Sequence, residues 1–440
     1  MPRSTPFPSA SVSMSDLSPS DVRRLFAGSC AALAATGMTF SVRGDIMSAL
    51  GQQFSLDHFQ LGLIAGAAFY GYVAAILGGG LLVDVLGAGR ILQAAFVAQV
   101  LGLLLTIASP GFALLFVGTL VVGLGNGFVE AAANPLVATL YPRRKSQRLN
   151  AFHAWFAGGL ITGGLVGYGF TRAGLGWQAK LAAIIVAVAG YGAVLFRMRF
   201  PRMERVTAAV SDRDMFRTAA RPVFLVFLGC MFLTASTELG PNQWIPDTLG
   251  RTAGASGILV LVFINGIMFA SRTLGSRLTD KVSPVAVLAV SSVLAAAGLQ
   301  MLSHARAPLA AYGAAAVFAL GIGRMWPTML GVVAERCPSG GSFVLALMGS
   351  GGMLATAVTL PWMGHLIDSQ GVAGTFATVS VLPMLCAVVF LAVWLRDRAL
   401  GGHRAQTLDL AAAQPQRSGS AGKAVDVLLD PGAQVGERYT

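Results

Sequence analysis

Apolar residues in this chain fall into long runs broken by short polar stretches. Twelve runs stand out: 25–49, 60–82, 91–108, 112–140, 149–171, 177–196, 223–249, 257–279, 284–303, 308–334, 343–367 and 373–395. Each has about the length a helix needs to cross a bilayer, roughly 20 residues. Ten-residue segments of alternating polarity, the mark of a membrane barrel, are not evident. The pattern predicts an all-α integral membrane protein with twelve transmembrane helices in two six-helix bundles. The boundaries that follow are a polar N-terminal tail (1–22), a first bundle (23–200), a linker (201–221), a second bundle (222–396) and a polar C-terminal tail (397–440).

Composition agrees with that reading. Hydrophobic residues make up 55% of the 440 and charged residues 11%, against about 25% charged in soluble domains. The net charge of +12 would suit a nucleic-acid binder, but most Lys and Arg fall on alternate loops, on the tails and on the 201–221 linker. Such a bias is the positive-inside rule, and it predicts cytoplasmic termini in a multi-pass protein of the plasma or inner membrane. The basic linker is expected to lie at the anionic inner leaflet, with no nucleic acid as partner. The four cysteines lack metal or redox spacing, and no HExxH, GxSxG or paired catalytic set is present. Neither metal, cofactor nor enzymatic activity is expected.

Chemistry is expected where polar residues interrupt the runs. Asn126, Glu130 and Asn134 recur at four-residue spacing within GLGNGFVEAAANP, one face of a helix. Gly123, Gly125 and Gly127 in that stretch allow close approach of a neighbour. The second half echoes the row with Thr234, Glu238 and Asn242. Ionisable residues at bilayer depth are Arg43, Asp45, Glu130, Glu238, Arg272 and Arg324, each costing about 3 kcal/mol or more if left unpaired. Five of the six lie in runs 1, 4, 7 and 10, which are expected to enclose one central cavity. Arg43 and Asp45 are two residues apart, about 200° round a helix, and so do not pair with each other. Glu130 is read either as a proton carrier or as half of a fixed ion pair with Arg272 or Arg324. His153 is weighted toward a packing role. Amides at Asn126, Asn134, Asn242 and Gln243 suit hydroxyl groups, and Trp244 and Trp326, ahead of Tyr70 and Trp155, could cover the apolar face of a sugar ring.

Two turns repeat between the halves, GGGLLVDVLGAGR around Asp84 and GSRLTDKVSP around Asp280. Together with twelve runs and a linker after the sixth, they resemble the major facilitator superfamily. Gly80, Asp84, Gly87 and Arg90 match its loop motif, with Val85 where a basic residue is usual; Arg277, Asp280 and Lys281 fit the second copy. The resemblance implies a gating role for Gly80, Asp84, Arg90, Arg277 and Asp280. Within the superfamily, EAAANP, Leu149–Asn150 and the position of Asp45 are similar to the fucose permease branch of sugar–proton symporters. That likeness implies proton coupling at Asp45 and Glu130. Substrate contacts are expected at Asn126, Asn134, Glu238, Asn242, Gln243, Trp244, Arg324 and Trp326.

The function expected is secondary transport of a small polar solute, a sugar first, by proton symport and alternating access in a monomer embedded in lipid. An organic-anion carrier or drug or metabolite exporter is the alternative, with the arginines as ligands. A non-transporting receptor or scaffold on the same fold is a further one.

Overall fold

In the computed structural model, residues 16–141, 145–201, 217–274, 282–337 and 341–401 are described. They form thirteen helices, numbered here in chain order. The first half holds α1 (Pro19–Phe54), α2 (His58–Leu86), α3 (Ala88–Ile107), α4 (Phe112–Leu140), α5 (Lys145–Arg172) and α6 (Trp177–Leu195). The second holds α7 (Pro222–Ala253), α8 (Gly257–Leu274), α9 (Pro284–His304), α10 (Pro308–Ile322), α11 (Met325–Arg336), α12 (Gly341–Val379) and α13 (Val381–Ala399). The expected tails and most of the 201–221 linker lie outside the described residues, as do Arg277 and Asp280.

Thirteen helices make twelve crossings. Among the described residues, nine segments are long and apolar enough to cross alone, and one of these, Phe343–Ala399, spans 57 residues. It turns back at Gly371, whose φ of 74° breaks the helix inside α12, and so supplies two crossings. The apolar stretch of α8 is shorter, and α5 begins with charged turns at Lys145 and Arg148; these two complete the set. Run 10 is not the continuous helix expected. It breaks at Gly323–Arg324 into α10 and α11, with Arg324 at φ −115°, ψ −5° and Pro327 just beyond. Proline at that place cannot donate to the preceding turn, so the ladder opens there.

Local signals set the starts and turns. Ser18 caps α1 in a reciprocal pair with Asp21, with Pro19 at the first helical position. Asp57 and Gln60 form the same box at the start of α2. Gly87, at φ 80°, makes the corner between α2 and α3, a conformation that glycine adopts at little cost. Inside the first half, α4 packs on α2 so closely that a Cβ on Gly123 would lie 1.9 Å from the Ala68 carbonyl oxygen. Small residues let membrane helices associate through backbone contact.

Each half packs mainly within itself, and the two meet along one seam. The main contacts across it join α1 to α7 and α8, α2 to α12, and α5 to α8. The closest backbone approaches across it fall toward the face opposite the start of α1, here termed the far face. Gly62 faces the Leu360 carbonyl, Gly44 the Gln243 carbonyl, and Gly164 the side chain of Val262. No comparable contact joins the tail-side parts of α4 and α5 to α10 and α11 among the described residues. Among the described residues, the two halves therefore meet at the far face and lack such contacts near the start of α1 and the end of α13.

Candidate functional site

Between the halves, α5 packs against α8, and α8 in turn meets α7 and α10. Glu130 on α4 has a side chain 17% exposed and lies near Tyr72 on α2. Its Oε1 faces His153 Nδ1 on α5 at 3.9 Å. The other ring nitrogen, Nε2, donates to Asn134 Oδ1 at 3.0 Å. In a neutral imidazole, a donor at Nε2 leaves an acceptor at Nδ1. Carboxylate and lone pair thus face one another, an arrangement that one proton between them satisfies. Asn134, one turn beyond Glu130, orients the ring.

Across the gap, Glu238 on α7 pairs with Arg272 on α8, Oε1 to Nη2 at 3.1 Å. Arg272 Nε also donates to the Gly323 carbonyl at 2.9 Å, an oxygen made available where run 10 breaks. Arg324 Nη2 reaches the Ser271 carbonyl at 3.4 Å. Of Arg43, Arg272 and Arg324, Arg272 is the one held by an acid among the described residues, and its partner is Glu238, so Glu130 does not form the fixed ion pair expected with Arg272. Arg272 lies near His153 of the other half. Two acceptors on α7 are buried without a donor among the described residues: Glu238 Oε2 and, one turn on, Asn242 Oδ1.

Several expected site residues are engaged elsewhere. Asn126 is fully buried. Its carbonyl accepts from Gln99 Nε2 (2.8 Å) and its amide donates to Thr39 Oγ1 (2.9 Å), while Tyr191 donates to Gln99 Oε1 (2.7 Å). This network ties α1, α3, α4 and α6 together and leaves the side chain nothing to offer a solute. Four residues advance a helix by about 400°, so the Asn126–Glu130–Asn134 row drifts some 80° from end to end. Its first member faces the bundle interior; the last two reach the gap. Gln243 and Trp244 belong to the seam. Gln243 accepts from Arg43 Nε (3.0 Å) and donates to the Phe40 carbonyl (3.1 Å); Trp244, fully buried, donates to the Leu360 carbonyl (3.3 Å). Both stitch α7 to the first half or to α12.

Arg43 and Asp45 point to different neighbours, as their spacing requires. The Arg43 guanidinium sits over the Phe40 and Phe69 rings at 4.8 and 5.4 Å, and its Nη2 is buried without a hydrogen-bond partner. Asp45 turns to α6, where Lys180 Nζ lies 2.5 Å from Oδ2. Lys180 escaped the sequence reading because it stands near the start of run 6, where a lysine normally snorkels. Trp326, partly buried on α11, rests against Gly352 on α12. Tyr70 and Trp155 are exposed, at 37% and 52%. Of the gating residues, Gly80 lies in open space near the end of α2 and Arg90 is exposed on α3. Asp84 is helical, with its side chain outside the described residues, like that of Asn150.

The profile of the Major Facilitator Superfamily matches residues 25–342, well over half the chain. The chain belongs to this superfamily. It is 25% identical to the L-fucose-proton symporter of Escherichia coli (strain K12) over 394 residues, covering 79% of this chain and 87% of that protein. Among solved structures, the partially occluded inward-open xylose transporter XylE of E. coli aligns with a TM-score of 0.72 at 13% identity, covering 85% of this chain and 98% of that one. A major facilitator transporter, FucP, in the outward conformation aligns at 0.63 with 18% identity, covering 84% and 98%. These likenesses establish the fold: twelve transmembrane helices in two pseudo-symmetric halves. The relatives are transporters rather than enzymes, and this chain is a multi-pass membrane transporter.

Proposed function

We propose that this transporter carries a small polar solute, specifically a sugar, by proton symport. The observation that carries the reading is the pairing of two unlike sites across one gap. On one side Glu130 and His153 present a carboxylate and an imidazole lone pair that one proton joins. On the other, Glu238 Oε2 and Asn242 Oδ1 are buried acceptors one turn apart. Buried acceptors left without donors are costly, and solute hydroxyls supply donors. The 25% identity to a fucose–proton symporter supports both parts of the assignment.

In this reading the halves 23–200 and 222–396 rock about the seam, linked through 201–221, with the tails in the cytoplasm of an inner or plasma membrane. The closed far face then corresponds to an inward-open state. Proton loading sits at Glu130 with His153 as its neighbour, while Asp45, held by Lys180, tunes the far end of α1 and is a second coupling candidate. Solute contacts fall to Asn134, Glu238, Asn242, Arg324 and Trp326. The chain acts as a monomer in lipid, since each copy holds both halves of the site. The turns at Gly80–Arg90 and Arg277–Asp280 brace the tail side when it closes.

A second reading is an organic-anion carrier. Arg43 and Arg324 form no ion pair among the described residues, and a carboxylate-bearing solute would supply one. A thermal-shift screen of the purified protein against sugars, nucleosides and organic acids separates the two. Stabilisation by a sugar that is lost in Asn242→Ala is the expected result; stabilisation by organic acids alone, lost in Arg324→Gln, would replace the sugar with an anion.

A further inference from the structure

The seam at the far face holds a cluster that the cavity chemistry does not use. His58 opens α2 directly after the Asp57 cap, and its ring lies between two carboxylates of the other half. Nδ1 is 2.5 Å from Asp368 Oδ1 on α12, and Nε2 is 3.8 Å from Asp247 Oδ2 on α7. The next amide, Phe59 N, donates to Asp368 Oδ2 at 3.1 Å, so Asp368 engages ring and backbone together. The Trp244 ring of α7 lies 5.9 Å away, centroid to centroid. Backbones are close here too, with Gly364 against the His58 carbonyl.

Asp57, on the same helix, is turned to its own first turn, where it accepts from Gln60 N at 2.7 Å. His365, one turn before Asp368 on α12, is exposed. Arg251, one turn beyond Asp247 on α7, has its side chain outside the described residues. The Asp247 side chain is 2% exposed, whereas His58 and Asp368 keep 25% and 34%, so water reaches the ring.

We propose that His58 is a proton-binding site of the far-face gate, separate from the cavity, and that its protonation holds that face shut. A protonated imidazole donates from both nitrogens, one toward each carboxylate; a neutral ring donates from one and turns a lone pair toward the other acid. Opening the far face must part His58 from Asp247 and Asp368, because α2 belongs to one half and α7 and α12 to the other. A proton that binds the closed arrangement better than the open one shifts the equilibrium toward closure. The inference rests on alternating access, but not on the cargo or on proton coupling at Glu130.

Nitroxides at Leu175→Cys, in the exposed turn between α5 and α6, and Ser369→Cys, exposed just before the Gly371 break in α12, report the distance across this face. The four buried native cysteines are replaced by alanine. Between pH 5.5 and 8, where imidazoles ordinarily change charge, the closed-to-open ratio is expected to fall roughly two- to fivefold, the range a partly exposed ion pair commands. His58→Gln and Asp368→Asn should each flatten that response, and Glu130→Gln should keep it. A pH-invariant distance in the parent, or an unchanged response in both His58→Gln and Asp368→Asn, would overturn the proposal. So would a response lost only in Glu130→Gln, which would place the proton in the cavity. The distance is read without solute or gradient, so an absence of symport leaves this test intact.

Discussion

Two asparagines illustrate how burial divides the polar residues of this chain. Asn126 has both ends of its amide satisfied by Gln99 and Thr39, whereas Asn242 keeps a buried carbonyl without a donor. Asn126→Ala is expected to lower stability by about 1–3 kcal/mol, because Gln99 and Thr39 lose a partner in the interior, with solute affinity within twofold of the parent. Asn242→Ala should do the reverse, weakening solute binding by about tenfold, the worth of roughly 1.4 kcal/mol, with little loss of melting temperature. Thermal unfolding with and without solute reads both. The Arg272–Glu238 pair has a sharper signature. Arg272→Ala strands a buried carboxylate and should cost about 3–5 kcal/mol, while replacing both members by Met and Leu should recover most of it and still abolish transport. Equal destabilisation of single and double variants would show that the pair is not the unit.

At the scale of elements, the seam depends on glycines that let backbones touch. A Cβ on Gly62 would lie 2.6 Å from the Leu360 carbonyl oxygen across the two halves, and neither backbone can yield. Gly62→Val is therefore expected to prop the far face apart, lengthening the 175–369 distance and exposing Trp244 to quenchers; an unchanged distance would remove α2–α12 contact from the gate. The break in run 10 serves the site differently. It frees the Gly323 carbonyl, which fixes Arg272, and discontinuous helices are recurrent features of transporter sites. Pro327 and two glycines were visible in GIGRMWP, yet hydropathy alone runs straight through them. What decides for a break rather than a kink is Arg272, 51 residues away in the chain, which takes the released carbonyl.

For the whole molecule, number of crossings, two-part division and polar helices were legible because lipid forces apolar length and because charge at bilayer depth is conspicuous. The partners of those charges were not. Asp45 finds Lys180 and Glu130 finds His153 through the packing of α1 on α6 and of α4 on α5, contacts that no period along a single helix encodes. A four-residue row likewise looked like one face until its drift carried Asn126 into the bundle. The conformation was equally hidden: the structure displays one in which α1, α2 and α5 close on α7, α12 and α8, and hydropathy says nothing of that choice. The account's central claim is that solute and proton share the gap between Glu130–His153 and Glu238–Asn242. Proton movement on solute addition tests it most directly, with proteoliposomes holding a pH-sensitive dye and no imposed gradient. Addition of the sugar found to bind should acidify the lumen in the parent, and in Glu130→Gln should give no acidification while solute exchange across the membrane continues. Solute entry without acidification in the parent, or equal acidification in Glu130→Gln, would contradict it.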